Sequence, residues 1–312
     1  MQLEHKYVLI NDVNIHYVTA GPKKNKWKLG STLIFLHGFP EYWQTWQHQL
    51  DYFHAEHRVI APDLPGYNLS GKPQDVLFYQ ITHLVKFMAA FIDKVSPEQK
   101  VTLVAHDWGG VIAWPLAAFY SQYIEKLVIL NAAHPSTFTR ETINNSLQRD
   151  KSAYIHDLIG QDAETLLSKN DYQYLTKEIM VSTKPGIFDE VTKERYRQVW
   201  GKPGAINGML QYYRAMPQLA AVNKQRTSVR SVNTHDPVKN TTEMKVPNIR
   251  IDVPTLILWG EKDQAFVNEN LDDLEPYVPH CTIKRFADTS HWLMHEKSDE
   301  INSAIDRFIN SA

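Results

Sequence analysis

The sequence predicts an α/β fold in which a mostly parallel, mixed sheet carries helices on both faces and is interrupted by a helical insertion. Short apolar runs bounded by turn residues recur along the chain, as expected for buried strands. Helical patterns lie between these runs, and such alternation is typical of a parallel sheet. The runs are Thr32 to Leu36, Arg58 to Ala61, Val101 to Ala105, Lys126 to Leu130, Pro254 to Trp259 and Thr282 to Phe286.

Three other segments complete this predicted layer structure. Val13 to Ala20 alternates in polarity, which predicts an antiparallel strand at the edge of the sheet. A last helix is expected near Asp299 to Ile309. Apolar residues at spacings of three and four predict one face of a helix between the second and third runs; they are Phe78, Ile81, Val85, Met88 and Ile92.

The strand rhythm stops after Asn131. From about Pro135 to Val246 the chain shows helical stretches, two Lys-Pro-Gly turns and a polar segment from Asn223 to Thr242, without a clear strand pattern. The length of 312 residues also exceeds one typical domain. We therefore predict a discontinuous core, residues 1–134 and 247–312, with a helical cap at residues 135–246.

Composition excludes several classes of function. Hydrophobic residues make up 43% of the chain and charged residues 22%, as in ordinary globular proteins. The net charge of −2 gives no electrostatic reason to bind nucleic acid or an anionic membrane. A single cysteine, Cys281, excludes an internal disulfide, and Cys/His clusters with metal-ligand spacing do not occur. Without a secretory signal pattern or an apolar stretch of about 20 residues, the expected location is cytoplasmic.

The most informative segment is Ala105 to Gly110, directly after a predicted strand. Ala105 and Gly109 are small and stand two residues on either side of Asp107. A sharp strand-to-helix turn needs small flanking residues, and it presents its central side chain at the carboxyl edge of the sheet. Aspartate is also a good helix N-cap, so this segment by itself leaves a structural role open.

An exposed aspartate at such a turn has its own chemistry. A carboxylate is already ionised near neutral pH, so it can attack carbon without first losing a proton. It suits displacement at an sp³ carbon, as in an epoxide or an alkyl halide, and the product is an alkyl ester on Asp107. Hydrolysis of that ester requires a base, a water molecule and a site for the oxyanion.

Three other segments follow strands whose carboxyl ends are expected at the same edge. They are His37 to Pro40, Gly260 to Asp263, and Asp288 to Trp292. Two acids, Glu261 and Asp263, compete in the second segment. Glu261 follows the strand immediately and is expected to point to solvent, which favours Asp263.

These segments together resemble the α/β-hydrolase family, in the branch of epoxide hydrolases and haloalkane dehalogenases. The resemblance covers nearly the whole chain, and its motifs occur in the family's order: His37 to Pro40, His106 to Gly110, Leu130 to Pro135, Trp259 to Asp263, and His291-Trp292. The family's chain order of nucleophile, acid and histidine implies Asp107, Asp263 and His291. It also implies an oxyanion hole made by the amides of Phe39 and Trp108.

The resemblance also bears on the choice of reaction. Epoxide hydrolases of this kind protonate the ring oxygen with cap tyrosines, and Gln211 to Met216 and Ser152 to Ile155 look like their motifs. This implies Tyr213 and Tyr154 as acids, although cap tyrosines can also serve only in packing. Haloalkane dehalogenases usually carry asparagine at the position of Phe39, so its absence favours epoxides.

The sequence therefore predicts hydrolysis of a small, uncharged, hydrophobic epoxide to a vicinal diol, with water as the second substrate and no cofactor or metal. Aromatic side chains are expected to form the apolar walls of the site; they are Trp108, Phe39, Trp292 and Phe266. Two alternatives remain: a haloalkane dehalogenase that uses the same nucleophile, and a non-catalytic ligand-binding receptor on the same fold.

Overall fold

The computed structural model describes residues 2–22, 32–216 and 244–311. In these ranges, one sheet has the strand order β1-β2-β4-β3-β5-β6-β7-β8. The strands are β1 (Glu4–Ile10), β2 (Val13–Ala20), β3 (Thr32–Leu36), β4 (Arg58–Pro62), β5 (Val101–His106), β6 (Ile124–Leu130), β7 (Thr255–Gly260) and β8 (Cys281–Phe286). β2 is antiparallel to both of its neighbours, and the remaining pairs are parallel. The predicted α/β fold class is confirmed.

Helices cover both faces of this sheet, and other helices lie in the segment between β6 and β7. They are α1 (Gln47–Phe53), α2 (Ile81–Val95), α3 (Trp108–Phe119), α4 (Pro135–Asn144), α5 (Ser146–Lys151), α6 (Tyr154–Leu158), α7 (Ala163–Tyr174), α8 (Glu190–Trp200), α9 (Ala205–Arg214), α10 (Leu293–Glu296) and α11 (Ser298–Asn310). Within the described ranges, none of them has the length and apolar character needed to cross a membrane.

Alternate residues of β3 show why both faces must be covered. Ile34 and Leu36 belong to the apolar cluster that includes α2 and α3, whereas Leu33 and Phe35 belong to the cluster that includes α1 and α11. Successive side chains of a strand point to opposite faces, so an uninterrupted apolar run buries both faces. This explains why the continuous runs in the sequence correspond to the central strands.

The edge of the sheet differs from the prediction. Val13–Ala20 is antiparallel as expected, but it is not the edge strand, because β1 pairs with its outer side. Most residues of β1 are exposed, so the strand is defined by backbone pairing with β2 and carries little apolar signal. The predicted helix begins only at Ile81, which is 37% exposed and therefore does not belong to the buried face. Phe78 lies in a preceding short 3₁₀ helix.

Between β6 and β7 the described residues form helices α4 to α9 and connecting turns. We call residues 135–216 the helical insert. The predicted cap boundaries, residues 135–246, stay a prediction. The polar segment Asn223 to Thr242 lies outside the described residues.

The parallel strands bring distant parts of the chain to one edge. β3, β5, β6, β7 and β8 are consecutive and parallel for the pairs they form. Their carboxyl ends lead directly into the loops that carry Phe39, Asp107, Asn131, Asp263 and His291. The sheet therefore places these five residues around one site, although they span most of the sequence.

Gly109 lies where α3 packs most closely on the end of β3. A methyl group on this residue would lie 2.3 Å from the carbonyl oxygen of Leu36, a backbone atom that cannot rotate away. We expect Gly109→Ala to lower the free energy of unfolding in urea by about 1–3 kcal/mol, as overpacked cores do. Gly160→Ala is the control, because its methyl group would lie 3.3 Å from the backbone oxygen of Asp157, a contact that a small shift relieves. Equal unfolding free energies for the two variants would contradict this packing argument.

Candidate active site

Asp107 occupies the turn between β5 and α3 in a conformation that side chains rarely adopt. Its φ is 49° and its ψ is −120°, which costs about 1–3 kcal/mol for a residue other than glycine. The loop after β3 approaches so closely that a methyl group on Gly38 would lie 2.3 Å from the Asp107 Cβ. Glycines on both sides thus allow the strained aspartate to stand at the end of the strand.

The two carboxylate oxygens of Asp107 face different groups. The backbone N–H of Phe39 donates to Oδ1 at 2.7 Å. Oδ2 lies 3.8 Å from His291 Nε2, beyond hydrogen-bond distance. Trp108 is the first residue of α3, so its amide has no acceptor within the helix. An amide donor and an imidazole therefore meet at the carboxyl group of Asp107.

Asp263 holds the other side of the His291 ring. His291 Nδ1 lies 2.8 Å from Asp263 Oδ2, and Asn131 Nδ2 donates to the same oxygen. Oδ1 accepts from the amides of Ala265 at 2.6 Å and Phe266 at 3.0 Å. Burial alone would raise the pKa of Asp263, but its attraction to His291 and these hydrogen bonds outweigh burial and lower it. An ionised carboxylate only accepts, so the Nδ1 of His291 carries the proton.

His291 is surrounded by negative charge. Burial alone would lower its pKa, but the Asp263 carboxylate, with further contributions from Asp107 and Glu41, raises the pKa to about 9. The resting imidazole is therefore protonated at neutral pH. Loss of any one of these negative charges lowers the pKa and makes the neutral, basic form more accessible.

A second buried pair lies behind His291 and was missed by the sequence analysis. His106 Nε2 lies 3.0 Å from the backbone oxygen of His291, and His106 Nδ1 lies 3.1 Å from Glu41 Oε2. Glu41 is fully buried. Burial opposes its ionisation, but hydrogen bonds from His106 and His295 outweigh burial and lower its pKa. A glutamate beside a turn suggests an exposed residue, so only its position next to the His37 to Pro40 motif could have drawn attention to it.

Tyr213 and Tyr154 lie together in the helical insert. The Tyr213 ring packs edge-on against the rings of Phe39 and Trp108, with centroids 5.2 Å away in both cases. The Tyr154 ring centroid is 6.4 Å from that of Tyr213. Burial and the negative charge of Asp107 raise the pKa of both tyrosines, with each tyrosine also affecting the other. Both hydroxyls therefore keep their protons at neutral pH.

The other residues singled out in the sequence fall into two groups. Phe266 and Trp292 flank the His291 ring at centroid distances of 6.1 and 5.0 Å. Trp292 is almost completely buried and also packs against Phe188 of the helical insert. Glu261, the competing acid, instead forms an ion pair with Arg285 at 3.3 Å near the surface.

Comparisons with known proteins bear on the family and the fold. A family model described as alpha/beta hydrolase fold matches residues 31–298. "Epoxide hydrolase 2" of Caenorhabditis elegans is 30% identical, over 98% of this chain and 80% of its own length. "AB hydrolase superfamily protein YfhM" of Bacillus subtilis is 32% identical, over 98% of both chains. The crystal structure of a Bacillus megaterium epoxide hydrolase with an inhibitor has a TM-score of 0.82 and 31% identity, over 98% of this chain and all of the other.

The Asp263–His291 pair predicts a specific dependence of stability on pH. The folded-state pKa of His291 is raised from 6.5 to about 9, so the stabilisation from this pair is fully present below pH 6.5 and is lost as the pH rises through 9. We expect Asp263→Asn to lower the His291 pKa, as followed by NMR. We also expect the difference in unfolding free energy from the wild type to shrink between pH 6 and pH 10.

The control for this prediction is Asp252→Asn, which removes an exposed aspartate paired with Arg250. It should leave the His291 titration unchanged. A difference in unfolding free energy between Asp263→Asn and the wild type that stays constant from pH 6 to pH 10 would show that the pair does not set the charge of His291.

Proposed function

The chain belongs to the α/β-hydrolase family, in the branch that contains the epoxide hydrolases, and on this premise we propose that it hydrolyses a small, uncharged, hydrophobic epoxide to a vicinal diol. One observation carries the proposal. The carboxylate of Asp107 lies between the Phe39 amide, at 2.7 Å, and the His291 imidazole, at 3.8 Å, with two protonated tyrosines nearby in the insert.

In the first step, Asp107 attacks one carbon of the epoxide ring. The bond between that carbon and the ring oxygen breaks, and its electron pair stays on the oxygen. Tyr213 or Tyr154 donates a proton to this oxygen, which is why their raised pKa matters: a tyrosinate could not serve as the acid. The product is a hydroxyalkyl ester of Asp107.

Formation of the ester prepares the second step. It removes the negative charge of Asp107, which is one of the charges that raise the pKa of His291. The pKa of His291 therefore falls when the ester is present, and the ring loses its proton, which restores the tyrosine that acted as the acid. The neutral ring can then accept a proton from the attacking water. Ester formation thus activates the base that the next step needs.

In the second step, water attacks the carboxyl carbon of the ester and transfers a proton to His291 Nε2. The oxyanion accepts from the amides of Phe39 and Trp108, and Asp263 stabilises the imidazolium. The bond between the carboxyl carbon and the alkyl oxygen then breaks, and that oxygen takes the proton from His291. The diol leaves, the attacking water's oxygen remains on Asp107, and the proton of the new carboxyl group passes to His291, which restores the resting ion pair.

The covalent intermediate gives the sharpest test. Without the base, the ester should persist, so His291→Gln incubated with styrene oxide is expected to gain the mass of one epoxide on Asp107. Intact mass and peptide mapping measure this gain. His280→Gln, which changes an exposed histidine, serves as the control and should turn over normally.

Absence of the adduct from folded His291→Gln, or its location on another residue, would refute the mechanism. Release of bromide from 1-bromohexane without diol formation from any epoxide would identify a dehalogenase. Binding of both compounds without turnover would identify a receptor.

The tyrosines distinguish epoxide opening from halide displacement. We expect the double variant Tyr213→Phe/Tyr154→Phe to form the ester from styrene oxide about 100-fold more slowly or worse, which is the size of a general-acid contribution. In each single variant the rate of ester formation should fall less, because one tyrosine hydroxyl remains. Stopped-flow measurement of ester formation gives the rates. Displacement of bromide creates no alkoxide, so any such activity should be unaffected.

Tyr212→Phe is the matched control, since the Tyr212 hydroxyl donates to the backbone oxygen of Pro65 at 2.8 Å. It is buried and adjacent to Tyr213 in α9, but its hydroxyl is already occupied. Equal decreases in the rate of ester formation for Tyr212→Phe and for the double variant would assign the effect to packing and not to proton donation.

A further inference from the structure

We propose that Gln148 in α5 is a positioning residue for this reaction, because it fixes the loop that carries Asp263 to the segment that carries Tyr154. The inference rests on the roles proposed above for these two residues. Gln148 contacts neither Asp107 nor His291 in any hydrogen bond of the described residues.

Gln148 makes three hydrogen bonds to the acid loop, which we define as residues 263–270. Its Oε1 accepts from the Val267 amide at 3.1 Å and from Asn270 Nδ2 at 2.8 Å. Its Nε2 donates to the backbone oxygen of Ala265 at 2.9 Å. Ala265 in turn donates its amide to Asp263 Oδ1 at 2.6 Å. A single residue, Ala265, therefore separates Gln148 from Asp263.

The same side chain also holds the segment before Tyr154. Gln148 Nε2 donates to Ser152 Oγ at 3.0 Å, and the Ser152 amide donates to the backbone oxygen of Gln148 at 3.0 Å. Ser152 lies two residues before Tyr154, at the junction of α5 and α6. Lys151 reinforces this junction, because its Nζ donates to the backbone oxygen of Asp263. The acid loop and the tyrosine segment thus share one buried anchor.

A glutamine suits this position for a chemical reason. Its amide offers two N–H donors and an oxygen with two lone pairs, and all four are used here. The side chain is completely buried. A residue that cannot make these bonds leaves the amide of Val267 and the carbonyl of Ala265 without partners, which the loop can relieve only by moving. Such movement shifts Asp263 relative to His291.

The first test is Gln148→Met, which keeps the length of the side chain and removes all four bonds. His291 is read directly by NMR titration of ¹⁵N-labelled histidine, assigned by its loss in His291→Gln. His291 faces Asp263, Asp107 and, through His106, Glu41. Only the Asp263 contact should weaken, so the His291 pKa is expected to fall below that of the wild type. Ester formation should slow by about 10-fold or more because Tyr154 is displaced, since misplacement of a reacting group by about 1 Å can lower a rate about 100-fold.

Ser152→Ala separates the two functions of the anchor. It removes the hydrogen bond between Gln148 and the segment before Tyr154 and keeps the bonds between Gln148 and the acid loop. Ester formation should therefore slow, while the His291 titration stays that of the wild type. Gln49→Met is the matched control, because Gln49 is equally buried and bonds Asn302 at 3.0 Å in the packing of α1 on α11. It should reduce stability without changing either the titration or the rate of ester formation.

The outcomes are decisive in both directions. The inference stands if the His291 pKa and the rate of ester formation both fall in Gln148→Met but not in Gln49→Met. It is overturned if either quantity is unchanged. If Gln148→Met does not fold, Gln148→Asn, which is shorter by one methylene and equally uncharged, is judged by the same criteria. If the wild type forms no ester, the proposed function fails, and the His291 titration alone decides whether Gln148 positions the acid loop.

Discussion

The structure depends on the close approach of two turns, the one after β3 and the one after β5. Asp107 adopts its unfavourable backbone conformation because Gly38 and Gly109 leave no side chain between it and the β3 loop. The same approach brings the Phe39 amide to 2.7 Å from the carboxylate. The same close contact therefore accompanies both the backbone strain of Asp107 and its hydrogen bond from the Phe39 amide. A site that relied on flexible side chains to bring a donor to this carboxylate would lose more conformational entropy at each turnover.

In the proposed reaction, the charges around His291 set the order of the steps. Three carboxylates raise its pKa, and two of them, Asp263 and Glu41, keep their charge because hydrogen bonds compensate their burial. The third, Asp107, is the one that the proposed reaction neutralises. The fixed charges stabilise the imidazolium, while the variable charge controls when the ring can act as a base. The imidazole therefore becomes available as a base only after the ester has formed, which is when the second step needs it.

The residues that could be predicted from sequence are those whose signal is local. Central strands such as β3 and β5 bury both faces, so they appear as apolar runs, and the turn at Asp107 is marked by its small neighbours. The roles suggested for Tyr213 and Tyr154 came from a family resemblance and not from any pattern in the residues. β1 was missed because backbone pairing defines it. Polar contacts such as Glu41–His106 and Gln148–Val267 join residues 65 and 119 positions apart, which no local pattern encodes.

The helical insert must be held in a fixed position if it is to supply proton donors to a site that is built on a sheet. Buried polar side chains join the insert to the loops of the core. Among them are Gln148, which bonds the acid loop, and Glu296, which accepts from Ser182 and Thr183 of the insert and from Ser290 beside His291. Aromatic packing, such as Tyr213 against Trp108, gains its energy from burial and from many weak contacts that are not directional, so it permits sliding along the contact. Hydrogen bonds to a buried amide or carboxylate depend on both distance and angle, so they weaken when the insert slides. The polar ties therefore set the register between insert and core, and the apolar contacts supply most of the energy that holds the two together.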